Sequence, residues 1–320
     1  MPRQRTGSDI CDMTRTLIVG EEAEHYAELL AAHACEGLSL TAAADPEVAL
    51  QACGDAEVLF GPPDALLPLL PQASALRWVQ SSWAGVRPLL RQPRQDFLLT
   101  GVKGIFGPPM AEFVLGWLLA LERRIIDRAH AGAWDGRVDG SLAGKTLGIM
   151  GTGSIGAHVA RCARVFGLSV RGLNRRGLSH PDFDQCYPVS AARAFAEELD
   201  YLVALLPDTP ESSGLIDDGL LAQVAAGAIL INAGRASSLD EPALVAALER
   251  GKLRAAVLDV FQEEPLPTDS PLWALPDLYI TSHTAAPTRA EDIVAIFADN
   301  LRRYQQGEEL NYLVDFEQGY

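Results

Sequence analysis

The chain has 320 residues, enough for two domains of ordinary size, and 48% of them are apolar, as in a folded soluble protein. Lys and Arg number 26 against 42 Asp and Glu, a formal charge of −16, so no broad nucleic-acid surface is expected and an anionic ligand would need a locally positive pocket. Five cysteines (Cys11, Cys35, Cys53, Cys162, Cys186) are odd in number and lack metal-binding spacing, which argues against a disulfide scaffold or a metal site and fits a reducing cytoplasm.

In chain order, Met1 to Asp12 is polar, without the apolar stretch of a signal peptide, and reads as an extension outside the fold. Thr16 to Val19 is predicted as a strand, Glu22 to Cys35 as a helix and Val58 to Phe60 as a strand. Pro63 to Leu70 is predicted as a helix and Leu76 to Gln80 as a strand. Such alternation predicts an α/β unit with a parallel sheet up to about residue 103. Gly104 to Pro109 is a Gly/Pro-rich break, after which a long helix is expected from Pro109 to His130. The longest apolar run, Phe113 to Leu121, is too short to span a bilayer, so no membrane segment is expected.

The strand Leu147–Met150 then runs into Gly151-Thr152-Gly153-Ser154-Ile155-Gly156 and a helix through Ala157 to Phe166. The first glycine permits a tight turn, the second lets a pyrophosphate approach the backbone, and the third allows close helix–strand packing. The helix start offers free N–H groups to phosphates. With an apolar strand before it and another, Leu168 to Leu173, after it, the motif predicts dinucleotide binding. Further strands are expected at Tyr201–Leu205, Ile229–Asn232, Ala255–Val260 and Tyr279–Thr281, completing one doubly wound domain. Arg289 to Gln306 reads as a helix with apolar residues at Ile293, Val294, Ile296, Phe297 and Leu301, expected to return to the first domain.

Arg235, Asp259, Glu264 and His283 each lie at a strand end or in the loop after one, where ligands of parallel sheets bind. A guanidinium grips a carboxylate in two-pronged fashion, and an imidazole gives or takes a proton near neutrality. A neighbouring carboxylate favours the charged ring and holds its orientation.

Asn232-Ala233-Gly234-Arg235, the run Leu258 to Pro267, and Ser282-His283-Thr284-Ala285 resemble the D-isomer-specific 2-hydroxyacid dehydrogenases. Pro271-Leu272-Trp273 and Leu205-Leu206-Pro207-Asp208-Thr209-Pro210 are also similar to that family. The resemblance implies a Rossmann-type doubly wound sheet at 104–284 and a discontinuous, flavodoxin-like α/β substrate domain from 1–103 and 285–320, with the active site in the cleft between them. It implies that Arg235 binds the 2-oxo acid, that His283 protonates its carbonyl oxygen as hydride arrives from a nicotinamide, and that Glu264 pairs with His283. Leu206, Pro207, Ala233 and Asp259 fall at cofactor positions, Asp259 with a structural rather than proton-transferring role. In the loop Ser82 to Val86, the N–H groups of Ala84 and Gly85 would bind the substrate carboxylate; Trp83 is bulky there and either packs or lines the pocket. The resemblance further implies a homodimer.

Asn174 stands where most NAD-using members carry an acid, and Arg175 and Arg176 follow, a combination suited to a 2′-phosphate and so to NADP(H) over NAD(H). Ala236 and Ser282 replace the family's common Gly and Pro. The pattern is most similar to the glyoxylate/hydroxypyruvate reductase branch. Formate dehydrogenases would carry Gln at 264, and phosphite dehydrogenases a Lys in the 80–87 loop, which has none. The alternative is a non-catalytic nucleotide-sensing or corepressor-like protein on the same fold; the complete Arg235, Glu264 and His283 set argues against it.

Overall fold

The computed structural model describes residues 13–33 and 36–317, so Met1–Asp12 and Cys35 lie outside the described residues. The chain divides into two compact units: the described residues of Met1–Ile105 with Thr288–Tyr320, and Phe106–Pro287.

The first unit has five parallel strands: β1 Thr14–Val19, β2 Leu38–Ala43, β3 Val58–Gly61, β4 Trp78–Ser81 and β5 Leu98–Thr100. Their order is β2-β1-β3-β4-β5, the flavodoxin-like arrangement. Strands β3 and β4 are buried along their whole length, because helices cover both faces. At the sheet edge β2 alternates half-buried and exposed residues, a weak pattern that the sequence reading passed over. The helix expected at Pro63–Leu70 ends at Leu66, and that expected from Glu22 spans Ala23–Ala32. The C-terminal helix, Ala290–Gln306, belongs to this unit. Its Phe297 ring stacks on Phe60 at 4.6 Å and on Trp78 at 5.1 Å. Tyr304 donates a 2.6 Å hydrogen bond to buried Glu57, and Asn300 donates to Asn311 O and Gln80 Oε1. These contacts follow the helix's apolar stripe, which recurs at helical spacing.

The second unit has seven parallel strands: β6 Thr146–Met150, β7 Ser169–Asn174, β8 Gln185–Pro188, β9 Tyr201–Ala204, β10 Ala228–Asn232, β11 Leu253–Leu258 and β12 Leu278–Ile280. The order β12-β11-β10-β9-β6-β7-β8 is a Rossmann-type doubly wound sheet whose direction of build reverses between β6 and β9. The expected single helix at 109–130 is two: Gly107–Glu122 and Ile125–Ala129, parted by Arg124 in the left-handed region at φ 51°. The break follows from Glu122, a charged residue with only 5% exposure. Lys145, Arg254 and the Tyr201 hydroxyl all donate to its carboxylate, which pins the helix end to the sheet. Burial alone would raise the Glu122 pKa, but these partners hold it below the usual value. Among the described residues no helix is long and apolar enough to cross a membrane.

Candidate active site

The glycine motif begins where β6 ends. Gly151 has φ 110°, and a side chain there would press on Leu205 O at 2.8 Å. A side chain on Gly156 would drive into the Gly151 carbonyl. Gly153 differs: a Cβ there meets nothing within 4 Å, so open space lies over the backbone. Helix Ser154–Val165 starts immediately after it, three residues earlier than the sequence suggested, so Ser154, Ile155 and Gly156 bring unpaired first-turn N–H groups to that space. A tight turn, an open approach and a helix N-terminus fit a dinucleotide pyrophosphate.

Asn174, at the end of β7, is occupied in shaping a turn. Its Oδ1 accepts from Arg176 N at 3.2 Å and Leu178 N at 3.0 Å. Its Nδ2 donates to Leu178 O at 2.8 Å and to Thr152 Oγ1 at 3.2 Å, tying the turn to the glycine loop. The exposed guanidiniums of Arg175 and Arg176 have no ion-pair partner among the described residues. Leu206 and Pro207 follow β9, and Ala233 follows β10. There the two segments approach so closely that a side chain on Gly234 would lie 2.7 Å from Leu206 N.

Arg235 extends from the end of β10 with its side chain exposed. Asn232 Oδ1 accepts from Gly234 N, and Ser238 Oγ donates to Arg235 O at 2.8 Å, so the backbone on either side of Arg235 is fixed. Its Nη1 donates to Gly234 O at 2.7 Å, which leaves the other guanidinium N–H groups for a ligand.

His283 follows β12 at φ 57°, a left-handed conformation that a non-glycine residue adopts only under constraint. Asp259, 1% exposed, supplies the constraint. Its Oδ1 accepts from Thr281 Oγ1 at 2.6 Å and Thr284 N at 2.8 Å, and its Oδ2 from Ala285 N at 3.0 Å. Its carbonyl accepts from His283 N at 2.8 Å. The sequence reading did not single out Thr281 or Ser238; each is a short hydroxyl residue within three positions of a candidate catalytic residue, a signal too common to stand out.

Glu264 Oε2 lies 2.9 Å from His283 Nδ1, and Glu264 Oε1 accepts from Phe261 N at 2.9 Å. Partial burial would raise the Glu264 pKa. Hydrogen bonds from His283 and Phe261 N–H, with the charges of His283 and Arg235, outweigh it and hold the carboxyl below its usual value. The ring's Nδ1 is thus directed at a carboxylate, leaving Nε2 for a substrate oxygen. Arg235, Glu264 and His283 therefore form one electrostatically linked set at the carboxyl edge of the sheet.

In the first unit, the Ser81 hydroxyl clamps residue 83, donating to Trp83 O at 2.9 Å and accepting from Trp83 N at 3.1 Å. The N–H groups of Ala84 and Gly85 donate to no backbone acceptor among the described residues. Trp83 is 48% exposed and lines a cavity.

A family model for the NAD binding domain of D-isomer specific 2-hydroxyacid dehydrogenases matches residues 115–285. A glyoxylate/hydroxypyruvate reductase A of Klebsiella pneumoniae subsp. pneumoniae is 33% identical over 277 residues, covering 83% of this chain and 88% of the relative. A D-isomer specific 2-hydroxyacid dehydrogenase family protein from Aeromonas salmonicida subsp. salmonicida is similar with a TM-score of 0.88 and 40% identity, over 95% of this chain and 99% of that one. An NADPH-dependent glyoxylate/hydroxypyruvate reductase from Sinorhizobium meliloti, solved with NADP and sulfate, has a TM-score of 0.81 and 28% identity, over 96% and 100% of the two chains.

Proposed function

The chain belongs to the D-isomer-specific 2-hydroxyacid dehydrogenases and is an NAD(P)-dependent oxidoreductase, and from that premise we propose that it reduces glyoxylate, hydroxypyruvate or a similar small 2-oxo acid to the D-2-hydroxy acid with NADPH. The observation that carries the reading is the Glu264–His283 pair at 2.9 Å beside an exposed Arg235. A nucleotide sensor needs a cradle for the cofactor but no proton donor held on a carboxylate.

When bound, a reduced nicotinamide supplies hydride to the carbonyl carbon. Arg235 holds the substrate carboxylate and draws electron density onto the carbonyl oxygen. His283 gives its Nε2 proton to that oxygen as the C–O double bond becomes a single bond, and recovers a proton from water afterwards. Glu264 keeps the ring aligned through its 2.9 Å contact with Nδ1. Asp259 holds the His283 loop and moves no proton.

The 2′-phosphate of NADP(H) would be held by Arg175 and Arg176, presented by the Asn174 turn. The relative from Sinorhizobium meliloti, solved with NADP, supports this preference over NAD(H). A homodimer is supported by the exposed apolar side chains of Ile125, Trp134 (98% exposed) and Val138 and by a groove lined by Phe113, Trp117 and Ile126 in the same unit. Light scattering should report twice the chain mass, and Trp134→Ala should shift it toward the monomer. A cytoplasmic setting is supported by Cys53, Cys162 and Cys186, which are free thiols.

The decisive experiment is an initial-rate panel of glyoxylate, hydroxypyruvate and pyruvate with NADPH and with NADH. Oxidation of NADPH dependent on a 2-oxo acid is expected. Cofactor binding without turnover of any 2-oxo acid would favour the sensor instead.

A further inference from the structure

Residues 175–184 join β7 to β8 within the second unit and carry Arg175 and Arg176 at their start. A surface connection without regular structure is mobile unless it is tied down. The near end is tied by the Asn174 amide, which bonds Arg176 N, Leu178 N and Leu178 O. The far end is tied to the helix Ser154–Val165. Arg161 Nη1 donates to Asp182 Oδ2 at 2.6 Å, and Arg161 Nη2 lies 3.3 Å from His158 Nδ1. The Asp182 side chain is 18% exposed and that of Arg161 53%. Asp182 N donates to His180 Nδ1 at 3.3 Å, Phe183 N donates to His180 O at 3.1 Å, and the His180 ring meets buried Phe183 edge-on. Arg161 thus fastens the turn His180–Phe183 to the helix whose start fits a pyrophosphate. Arg164, one turn further along, pairs with Asp184 at 3.2 Å, but Asp184 has other ties. Its Oδ2 accepts from Val170 N at 2.7 Å and its N–H donates to Val170 O at 2.8 Å, so β7 holds it without Arg164.

We propose that Arg161 is a positioning residue for NADPH: its ion pair with Asp182 fixes the segment bearing Arg175 and Arg176 against the helix that meets the pyrophosphate. The inference rests on the reading of Arg175 and Arg176 as the seat of the 2′-phosphate. In NADPH the 2′-phosphate and the pyrophosphate hang from one ribose, so a five-membered ring sets their separation. A protein that binds both must hold its two anion seats at a matching separation before the cofactor arrives, or lose affinity in ordering them. NADH has no 2′-phosphate and does not depend on where that segment lies. Arg161 touches neither the substrate nor the catalytic set, so its contribution falls on cofactor affinity alone.

The test is a fluorescence titration of NADPH and of NADH into the full chain and into Arg161→Ala, Asp182→Ala, the double variant and Arg164→Ala, with hydrogen exchange over 175–184 measured in the absence of cofactor. Because Arg161 is partly exposed, Arg161→Ala should raise the Kd for NADPH only roughly three- to fivefold, with the Kd for NADH unchanged. Asp182→Ala should do the same, and the double variant should be no worse than either single one, since both remove one interaction. Exchange over 177–183 should quicken in Arg161→Ala. Arg164→Ala removes an equal charge from the same helix and should leave the Kd for NADPH at the parental value. The assignment is overturned by parental NADPH binding or unchanged exchange in Arg161→Ala, by equal losses with NADPH and NADH, or by an Arg164→Ala loss as large as that of Arg161→Ala, which would make charge rather than anchoring the cause. The Arg175→Ala, Arg176→Ala double variant separates the two levels. If it binds NADPH as tightly as the parent, the 2′-phosphate seat and this inference fall together; if it binds NADPH weakly while Arg161→Ala does not, the inference alone falls.

Discussion

Replacing Asp259 by Asn should detach the His283 loop from the sheet, and the geometry gives the size of the effect. The carboxylate accepts three hydrogen bonds with two oxygens, from Thr281 Oγ1 at 2.6 Å, Thr284 N at 2.8 Å and Ala285 N at 3.0 Å. An amide offers only one oxygen. Turned toward Thr281 and Thr284, it sets its NH2 against the Ala285 N–H, and two donors then face each other in a site that is 1% exposed. Losing one charge-assisted bond costs about 1.5–3 kcal/mol, and an unpaired buried donor adds about 1–3 kcal/mol. Roughly 3 kcal/mol is a conservative sum, equivalent to a Tm decrease of about 6–12 °C for a unit of this size. Thr281→Val removes only the hydroxyl bond and should cost about half as much. Because the same contacts hold His283 at φ 57°, kcat should fall about 100-fold in Asp259→Asn, as the loop relaxes away from its constrained form. Urea denaturation and steady-state kinetics on the two variants would measure both effects. An Asp259→Asn protein with an unchanged urea midpoint and kcat within twofold of the parent would refute the reasoning.

Three further outcomes follow from the site. Arg175→Ala with Arg176→Ala should raise KM for NADPH by roughly ten- to a hundredfold, the worth of one charge-assisted contact, and leave KM for NADH nearly unchanged; equal losses with both cofactors would dissociate these residues from the 2′-phosphate. Arg235→Lys should lose most of kcat/KM for the 2-oxo acid while binding NADPH normally in a fluorescence titration, because an ammonium lacks the planar two-pronged contact; near-parental turnover would show that Arg235 does not anchor the substrate. Glu264, whose pKa is lowered, contributes its pairing fully above the ordinary value of 4.5 and loses it only as pH falls through the lowered folded-state value. The acid limb of reduction should therefore lie below pH 4.5 in the parent, provided circular dichroism shows it still folded, and be missing from Glu264→Gln, whose kcat is low throughout. A parental limb centred above pH 4.5, or the same limb in Glu264→Gln, would contradict the pairing.

The sequence by itself determined the features that depend on local chemistry. A glycine spacing that only a tight turn and an exposed helix start can satisfy was legible at 151–156, and the strands β6, β9, β10 and β11 were legible as buried apolar runs. Residue types made the same kind of statement at Arg235, Glu264 and His283, since few reactions need a guanidinium, a carboxylate and an imidazole in that order after successive strands. Tertiary structure decided what depends on partners distant in the chain. The helix from Gly107 stops at Glu122 because Lys145, Tyr201 and Arg254 meet its carboxylate, and no periodicity near residue 122 records their approach. Strand β2 is too little patterned and β5 too short to announce themselves, and they take their form from pairing with β1 and β4. Asn174 reads in sequence as a missing acid, yet in the fold its amide builds the turn that presents two arginines. His283 reads as a proton donor, but its left-handed backbone is imposed by Asp259, 24 residues earlier, through hydrogen bonds that exist only once β11 and β12 lie side by side.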